Sequence, residues 1–181
     1  MASKNYIKSK LLLNFMSNNI LFKSIINKQS YEKITKWSKQ QNGINSVVEF
    51  LASNFMIDIT NDLDIVKGFT RDSSNLAGKA EALCRPVNEI ECSIILICCQ
   101  KAKIPMTIAA GRTNLNGSAT PEGGLVISMD QMKKPDPKVI QQSKTVITPV
   151  GIYLEEMRQE VLKQSNKKLY YPVDPTSRKE A

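Results

Sequence analysis

Ala109-Ala110-Gly111-Arg112-Thr113-Asn114-Leu115-Asn116-Gly117-Ser118-Ala119-Thr120-Pro121-Glu122-Gly123-Gly124 decides how the rest of the chain is read. Four of the eight glycines fall inside it, interleaved with hydroxyl and amide side chains. An apolar run, Ile104-Pro105-Met106-Thr107-Ile108, precedes it, and Leu125-Val126-Ile127 follows. The local expectation is strand, glycine-rich loop, strand. Glycine tolerates left-handed backbone and has no side chain to block approach, so such a loop can expose successive N–H groups. N–H dipoles converging on one point suit a phosphate or pyrophosphate. Thr113, Asn114, Asn116 and Ser118 add neutral donors, and Arg112 adds a charged fork of N–H groups. An ordinary long turn is the competing reading and is favoured by spacing alone. Neither G-x-x-x-x-G-K-[ST] nor G-x-G-x-x-G occurs, which removes the P-loop and the Rossmann fingerprint.

The upstream residues shift that balance. Ala80-Glu81-Ala82-Leu83-Cys84 reads as a short strand ended by Arg85-Pro86. Asn88 is a helix N-cap candidate, with Glu91 three positions on as in a capping-box variant. Ile90, Ile94, Ile97 and Cys98 then recur at helical spacing, and Cys92, Ile95 and Cys99 widen the apolar face. The spacing predicts a helix over 88–102, buried on more than one stripe and stopping before Pro105. Strand, helix and strand within this length make a βαβ unit with parallel strands. The glycine loop then lies at the carboxyl end of the second strand, where open α/β sheets place their ligands.

Downstream, 138–140 and 145–148 read as a hairpin, and Gly151 opens a helix over 153–163. Lys67-Gly68-Phe69-Thr70-Arg71-Asp72-Ser73-Ser74 reads as a polar link. Toward the N-terminus the composition changes. Residues 1–53 carry eight Lys against Glu32 and Glu49, a net +6 of the chain's +8, and every proline lies at or beyond Pro86. These two shifts place a boundary in the fifties, with a basic helical extension before it. Asn42-Gly43 should break that extension into two helices. Charge alone would allow a nucleic-acid arm, but no aromatic interleaving supports one, so nucleic acid is not the expected partner.

The chain has no His, which removes His-dependent triads, His metal sites and histidyl flavin attachment within it. Cys84, Cys92, Cys98 and Cys99 show no C-x-x-C spacing and read as small buried hydrophobes rather than metal ligands. Free thiols point to a reducing, cytoplasmic setting, with mitochondrial or peripheral-membrane placement as alternatives. No apolar run approaches the ~18 residues that a membrane-spanning helix needs.

Several stretches, in order and spacing, resemble the FAD-binding domain of the p-cresol methylhydroxylase/vanillyl-alcohol oxidase type, in its D-lactate dehydrogenase and glycolate oxidase branch. They are Asp72-Ser73-Ser74; Cys84-Arg85-Pro86-Val87-Asn88-Glu89-Ile90; Ile104-Pro105 leading into Gly111-Arg112-Thr113-Asn114-Leu115-Asn116-Gly117; Gly123-Gly124-Leu125-Val126-Ile127; Pro149-Val150-Gly151; and Tyr171-Pro172-Val173-Asp174-Pro175. The resemblance covers roughly two thirds of the chain. It implies FAD as cofactor, with the pyrophosphate on the glycine loop at Ala110, Gly111, Arg112, Thr113, Asn114, Asn116, Gly117 and Ser118. A second flavin-binding segment would include Pro172 and Asp174. Where the family usually has Arg followed by three glycines, this chain has Ala109, Ala110, Gly111 and Arg112, so the Arg112 side chain should point outward or onto phosphate. In the family a second glycine-rich stretch and a substrate cap follow the segment that ends at Pro175, and they carry most flavin contacts and the acid/base residues. No catalytic or metal-ligating residue is therefore expected in this chain.

The resulting expectation is an α+β chain whose first lobe is α/β. A βαβ unit with a small parallel sheet and a glycine-rich pyrophosphate loop fills 54–132, a second α+β lobe starts over 133–181, and 1–53 form the helical extension. The resemblance implies part of a flavin-dependent oxidoreductase of 2-hydroxy acids, inactive alone, and either truncated or completed by a separately encoded C-terminal half. A basic interaction module and a remnant without ligand are the competing readings.

Overall fold

The computed structural model describes residues 25–40 and 43–172. Two helices come first, α1 (Lys28–Trp37) and α2 (Ile44–Phe55). Asn27 caps α1 by accepting from the Ser30 N–H at 2.8 Å, and Gly43, with φ +111°, makes the expected break between the two helices. After them come β1 (Ile59–Thr60), a short α3 (Leu63–Lys67), β2 (Ala82–Cys84) and α4 (Glu89–Ala102). The order ends with β3 (Met106–Ala109), β4 (Leu125–Ser128), the hairpin β5 (Lys138–Ile140) and β6 (Thr145–Ile147), and α5 (Leu154–Gln164).

The start of α4 follows from its cap. The Glu91 N–H donates to Asn88 Oδ1 at 2.9 Å, while the Glu91 carboxylate accepts from the Val87 N–H at 2.9 Å and from Asn88 Nδ2 at 3.3 Å. The helix stops at Lys103, whose left-handed backbone (φ +57°) turns the chain toward Pro105.

Four strands form one sheet in the order β1-β2-β4-β3. β2 and β3 both run parallel to β4, which lies between them, pairing Ala82 and Met106 with the same residue, Leu125. The predicted βαβ unit is thus present, with β4 inserted between its two strands. β1 pairs antiparallel with β2, so the sheet is mixed rather than purely parallel.

Alternation along the strands divides the core in two. Ala82, Cys84, Leu125 and Ile127 face a cluster that includes Ile94, Ile95, Cys98 and Cys99 of α4. Leu83, Val126 and Ala109 face the other side, where Val66 of α3 and Ala119 of the glycine loop cover them. The loop therefore crosses the second face on its way from the carboxyl end of β3 back to the start of β4. Ile90, expected on the apolar face of α4, is 48% exposed in the first turn; the buried stripe begins at Ser93.

Ile26, Ile34, Val47, Phe50 and Leu51 share the first cluster with α4 and the sheet. Trp37 stacks on Phe50 with ring centroids 4.4 Å apart. Residues set apart by charge and lack of proline are thus packed against the sheet lobe by their apolar faces. Lysine content reports the solvated face of a helix, which is why composition gave no sign of this contact. Among the described residues, no helix is long and apolar enough to cross a membrane.

Candidate functional site

The β3–β4 ladder ends with the Met129 N–H donating to the Ala109 carbonyl at 2.8 Å. Beyond it the chain leaves the sheet, and Ala110, Gly111 and Arg112 line one wall of a cleft of about 300 Å³. Ser128, Met129 and Asp130 form its floor at the end of β4, and residues 150–153 form the opposite wall. The second wall packs closely on the floor at Gly151, where a Cβ would lie 2.5 Å from the Met129 carbonyl oxygen. The cleft sits at the carboxyl ends of parallel strands, the place the sequence predicts for a ligand. A larger hollow of about 750 Å³ lies between α3 and residues 121–123 and contains none of the expected site residues.

Among the described residues, nothing accepts from the backbone N–H groups of Gly111, Arg112, Thr113 or Asn114. Within this run Arg112 has φ +55°. A left-handed residue is one of the two conformations that alternate in an anion-binding nest. It also explains the glycine that the family usually places there, since a Cβ is disfavoured at positive φ.

Of the two placements expected for the Arg112 side chain, outward or onto phosphate, the structure does not show the outward one. The side chain turns back over the lobe, its guanidinium 4.4 Å from the Phe69 ring centroid and donating to the Gly68 carbonyl at 2.7 Å. Stacking plus one hydrogen bond holds the fork at the cleft wall with further N–H groups unspent.

Further along the loop, the Asn114 side-chain donor expected to meet a ligand is occupied within the fold. Asn114 Nδ2 donates to the Asp72 carboxylate and, at 3.1 Å, to Asn116 Oδ1. Asn116 Oδ1 also accepts from the Ser118 N–H at 3.2 Å. Thr113, Asn114, Asn116, Gly117 and Ser118 do not line the cleft. Gly117 (φ +77°) instead lets the loop pass beneath Leu76, whose Cδ1 would be 2.6 Å from a Cβ. Pro172 is exposed, and Asp174 lies outside the described residues.

From sequence, two residues receive no role at the site: Asp72, which belongs to the family resemblance, and Asp130. Asp72, 8% exposed, accepts four hydrogen bonds, from Ser74 Oγ and N–H, Asn114 Nδ2 and the Ala119 N–H. Those from Ser74 are the largest cause that lowers its carboxyl to about 2, against an opposing effect of burial. Its Asp-x-Ser spacing is an Asx-turn signal that could have marked it. Asp130, at the end of β4, accepts from Ser128 Oγ at 2.9 Å and is the carboxylate among the cleft's lining residues. Burial pushes the Cys84, Cys98 and Cys99 thiols up, as expected of small core hydrophobes, and the described residues hold no metal-binding cluster.

A family model described as an FAD binding domain matches residues 80–181. The D-lactate dehydrogenase of Anaerostipes hadrus is 32% identical over 118 residues, which is 62% of this chain and 23% of that protein. Glycolate oxidase subunit GlcD of Bacillus subtilis is 32% identical over 100 residues, 55% of this chain and 20% of that protein. The chain thus spans about a quarter or less of the length of these curated relatives. Among solved structures, an alkyldihydroxyacetonephosphate synthase matches with a TM-score of 0.65 at 18% identity, covering 77% of this chain and 28% of that one. A glucooligosaccharide oxidase of Acremonium strictum matches at 0.54 and 16% identity, covering 70% and 26%. These two likenesses establish the fold. With its glycine loop, the three parallel strands of its sheet and more than half of its length inside the family match, the chain belongs to the FAD binding domain family, of the p-cresol methylhydroxylase/vanillyl-alcohol oxidase type.

Proposed function

We propose that this chain supplies the diphosphate-binding part of the FAD site of a flavin-dependent oxidoreductase acting on 2-hydroxy acids. The observation that carries the reading is the run Gly111 to Asn114, whose four N–H groups have no partner among the described residues and which starts at the cleft wall with Gly111 and left-handed Arg112. Such a run fits a diphosphate, which offers anionic oxygens and no donor. The Arg112 guanidinium adds positive charge at the wall. Asp130 offers an acceptor for a sugar hydroxyl or a ring N–H. On this reading Ala110, Gly111, Arg112, Thr113 and Asn114 bind through backbone. Asn116, Gly117 and Ser118 keep the loop in shape, and Pro172 and Asp174 belong to a second flavin contact. FAD, when bound, supplies the hydride acceptor; this chain's own residues bind and orient it.

The substrate class rests on the printed names of the two relatives, a D-lactate dehydrogenase and a glycolate oxidase subunit. Those proteins are about four to five times as long as the matched part, so substrate binding and acid/base work are assigned to a further segment, in cis or in a separately encoded C-terminal half. On this reading 54–132 make a first lobe, 1–53 an extension whose described helices α1 and α2 pack on it, and 133–181 the start of a second lobe. A reducing, cytoplasmic setting suits the four free thiols.

Calorimetry with ADP, FAD and adenosine tests the reading. Each charge-assisted bond is worth roughly 1.5–3 kcal/mol before ordering costs. ADP should bind the 181-residue chain with a Kd between about 10 μM and 1 mM, or roughly −7 to −4 kcal/mol. FAD should bind about equally and adenosine should not bind. Gly111→Val, which adds bulk beside the N–H run, should abolish binding, and Cys98→Ser should not. Equal binding of adenosine and ADP would mean that no diphosphate site is present.

A further inference from the structure

We propose that Asp72 is a positioning residue for the diphosphate loop, gripping it from outside so that the N–H groups of Gly111 to Asn114 are presented ready-shaped to the ligand. The inference rests on the diphosphate reading above. It concerns a residue outside the 80–181 family match, in a stretch that the sequence reads as a polar link and whose Asp72-Ser73-Ser74 belongs to the family resemblance, with no role attached.

The geometry is that of a latch. Asp72 Oδ2 accepts from Asn114 Nδ2 and from the Ala119 N–H at 3.2 Å. Its Oδ1 accepts from the Ser74 N–H at 2.9 Å and from Ser74 Oγ. Next to it, Ser73 donates to the Arg112 carbonyl twice, from N–H at 3.1 Å and from Oγ at 3.2 Å. Residues 72 and 73 therefore hold the loop at Arg112, Asn114 and Ala119, using one carbonyl, one side chain and one N–H. None of these contacts consumes the N–H groups of 111–114.

A carboxylate suits this position. Four donors converge on two oxygens, and an ionised carboxylate is acceptor-only with room for all four. An amide would turn an NH₂ group toward either Ser74 or the Asn114–Ala119 pair, leaving donors facing a donor. A loop already held in its binding shape loses little conformational freedom when the ligand arrives, and this raises affinity without any new contact. Releasing the latch should therefore weaken diphosphate binding while leaving the N–H groups themselves intact.

The test compares the full chain with Asp72→Asn, Asn114→Ala and the double variant, by ADP calorimetry and by amide hydrogen exchange. Asp72→Asn should weaken ADP at least roughly tenfold, the effect of one good hydrogen bond to a charged group. The loss should appear as a less favourable binding entropy. Exchange at 112–119 should quicken while the amides of β4 and α4 keep their protection. Because Asp72 acts through Asn114, the double variant should lose less than the product of the two single effects. Ser74→Ala, which removes one donor and keeps the grip on the loop, should stay within about twofold of the parent.

Asp72→Asn with parental ADP affinity would overturn the proposal, whatever its melting temperature. If Asp72→Asn does not fold, Asn114→Ala decides: it must weaken ADP and quicken exchange at 112–119, and unchanged binding overturns the latch. If the parent binds neither ADP nor FAD, the diphosphate reading fails. The exchange data still judge the latch in that case: faster exchange confined to 112–119 supports it, and unchanged exchange overturns it.

Discussion

The Arg112 guanidinium donates to the Gly68 carbonyl at 2.7 Å across 44 positions of sequence, while its own backbone is left-handed. The residue is therefore strained locally and held tertiarily. Left-handed backbone costs an L-residue roughly 1–2 kcal/mol. The stack on Phe69 returns about 0.5–2 kcal/mol. Arg112→Gly removes both strain and contacts and should leave stability within about 1 kcal/mol of the parent. Arg112→Ala keeps the strain and loses the contacts, so it should be the less stable of the two by about 1 kcal/mol. Urea denaturation of the pair checks the order. An alanine variant as stable as the glycine variant would show that the backbone is not strained there.

Gly124 and Gly123 offer a sharper contrast. Both have positive φ, but a Cβ on Gly124 would lie 2.2 Å from the Pro105 carbonyl oxygen, whereas one on Gly123 meets only Glu81 Oε1 at 4.0 Å. Gly124 closes the loop against β3 and also accepts from the Glu81 and Ala82 N–H groups. Gly123→Ala should cost about 1–2 kcal/mol from backbone strain alone. Gly124→Ala should cost more than about 3 kcal/mol, since backbone must move. Equal melting temperatures would contradict the close approach.

Leu51 is fully buried between α2 and the sheet lobe. Leu51→Ala should lower stability by about 2–5 kcal/mol. Deleting residues 1–53 removes Val47, Phe50 and Leu51 together and exposes the packed face of α4, so that product should aggregate or lose its cooperative melt. A deletion that melts like the parent would show that the extension is dispensable, as its charge and lack of proline suggest.

Two pH limits follow from opposite shifts. The Asp72 carboxyl is lowered to about 2 from 3.8, chiefly by the Ser74 hydrogen bond, so the folded state binds its proton less readily than the unfolded chain. Its stabilising contribution is present above about pH 4 and is lost as pH falls toward 2. Burial pushes the Cys99 thiol up to about 12 from 9.0, so the folded state holds that proton longer. That contribution is present below pH 9 and is lost as pH rises toward 12. Melting curves across pH should show a plateau between these limits. Asp72→Asn should flatten the acid limb, and Cys99→Ala should ease the alkaline one without removing it, because burial pushes the Cys84 and Cys98 thiols up as well. An acid limb unchanged by Asp72→Asn would contradict the first assignment.

What could be read from sequence was the local part. Asn88 and Glu91 cap α4 where their spacing placed the cap, and the two strands bracket the glycine loop as patterned. Sheet order was not legible, because inserting β4 between β2 and β3 leaves no trace in local periodicity. β1 has two residues, too few for a period. Asp72 was hidden for a different reason: Asn114 and Ala119 lie 42 and 47 positions away, and only the fold brings them together. The same holds for Arg112, whose partners Gly68 and Phe69 sat in a segment that looked like a link.

The most direct test of the central claim is an NMR titration of the ¹⁵N-labelled chain with ADP. The account predicts that the amide signals of Gly111, Arg112, Thr113 and Asn114 move together, saturating with the calorimetric affinity, while those of Asn116 to Ser118 and of α5 barely shift. Adenosine should leave all of them in place. Binding that moves signals elsewhere and leaves 111–114 unshifted would contradict the assignment of this loop as the diphosphate site.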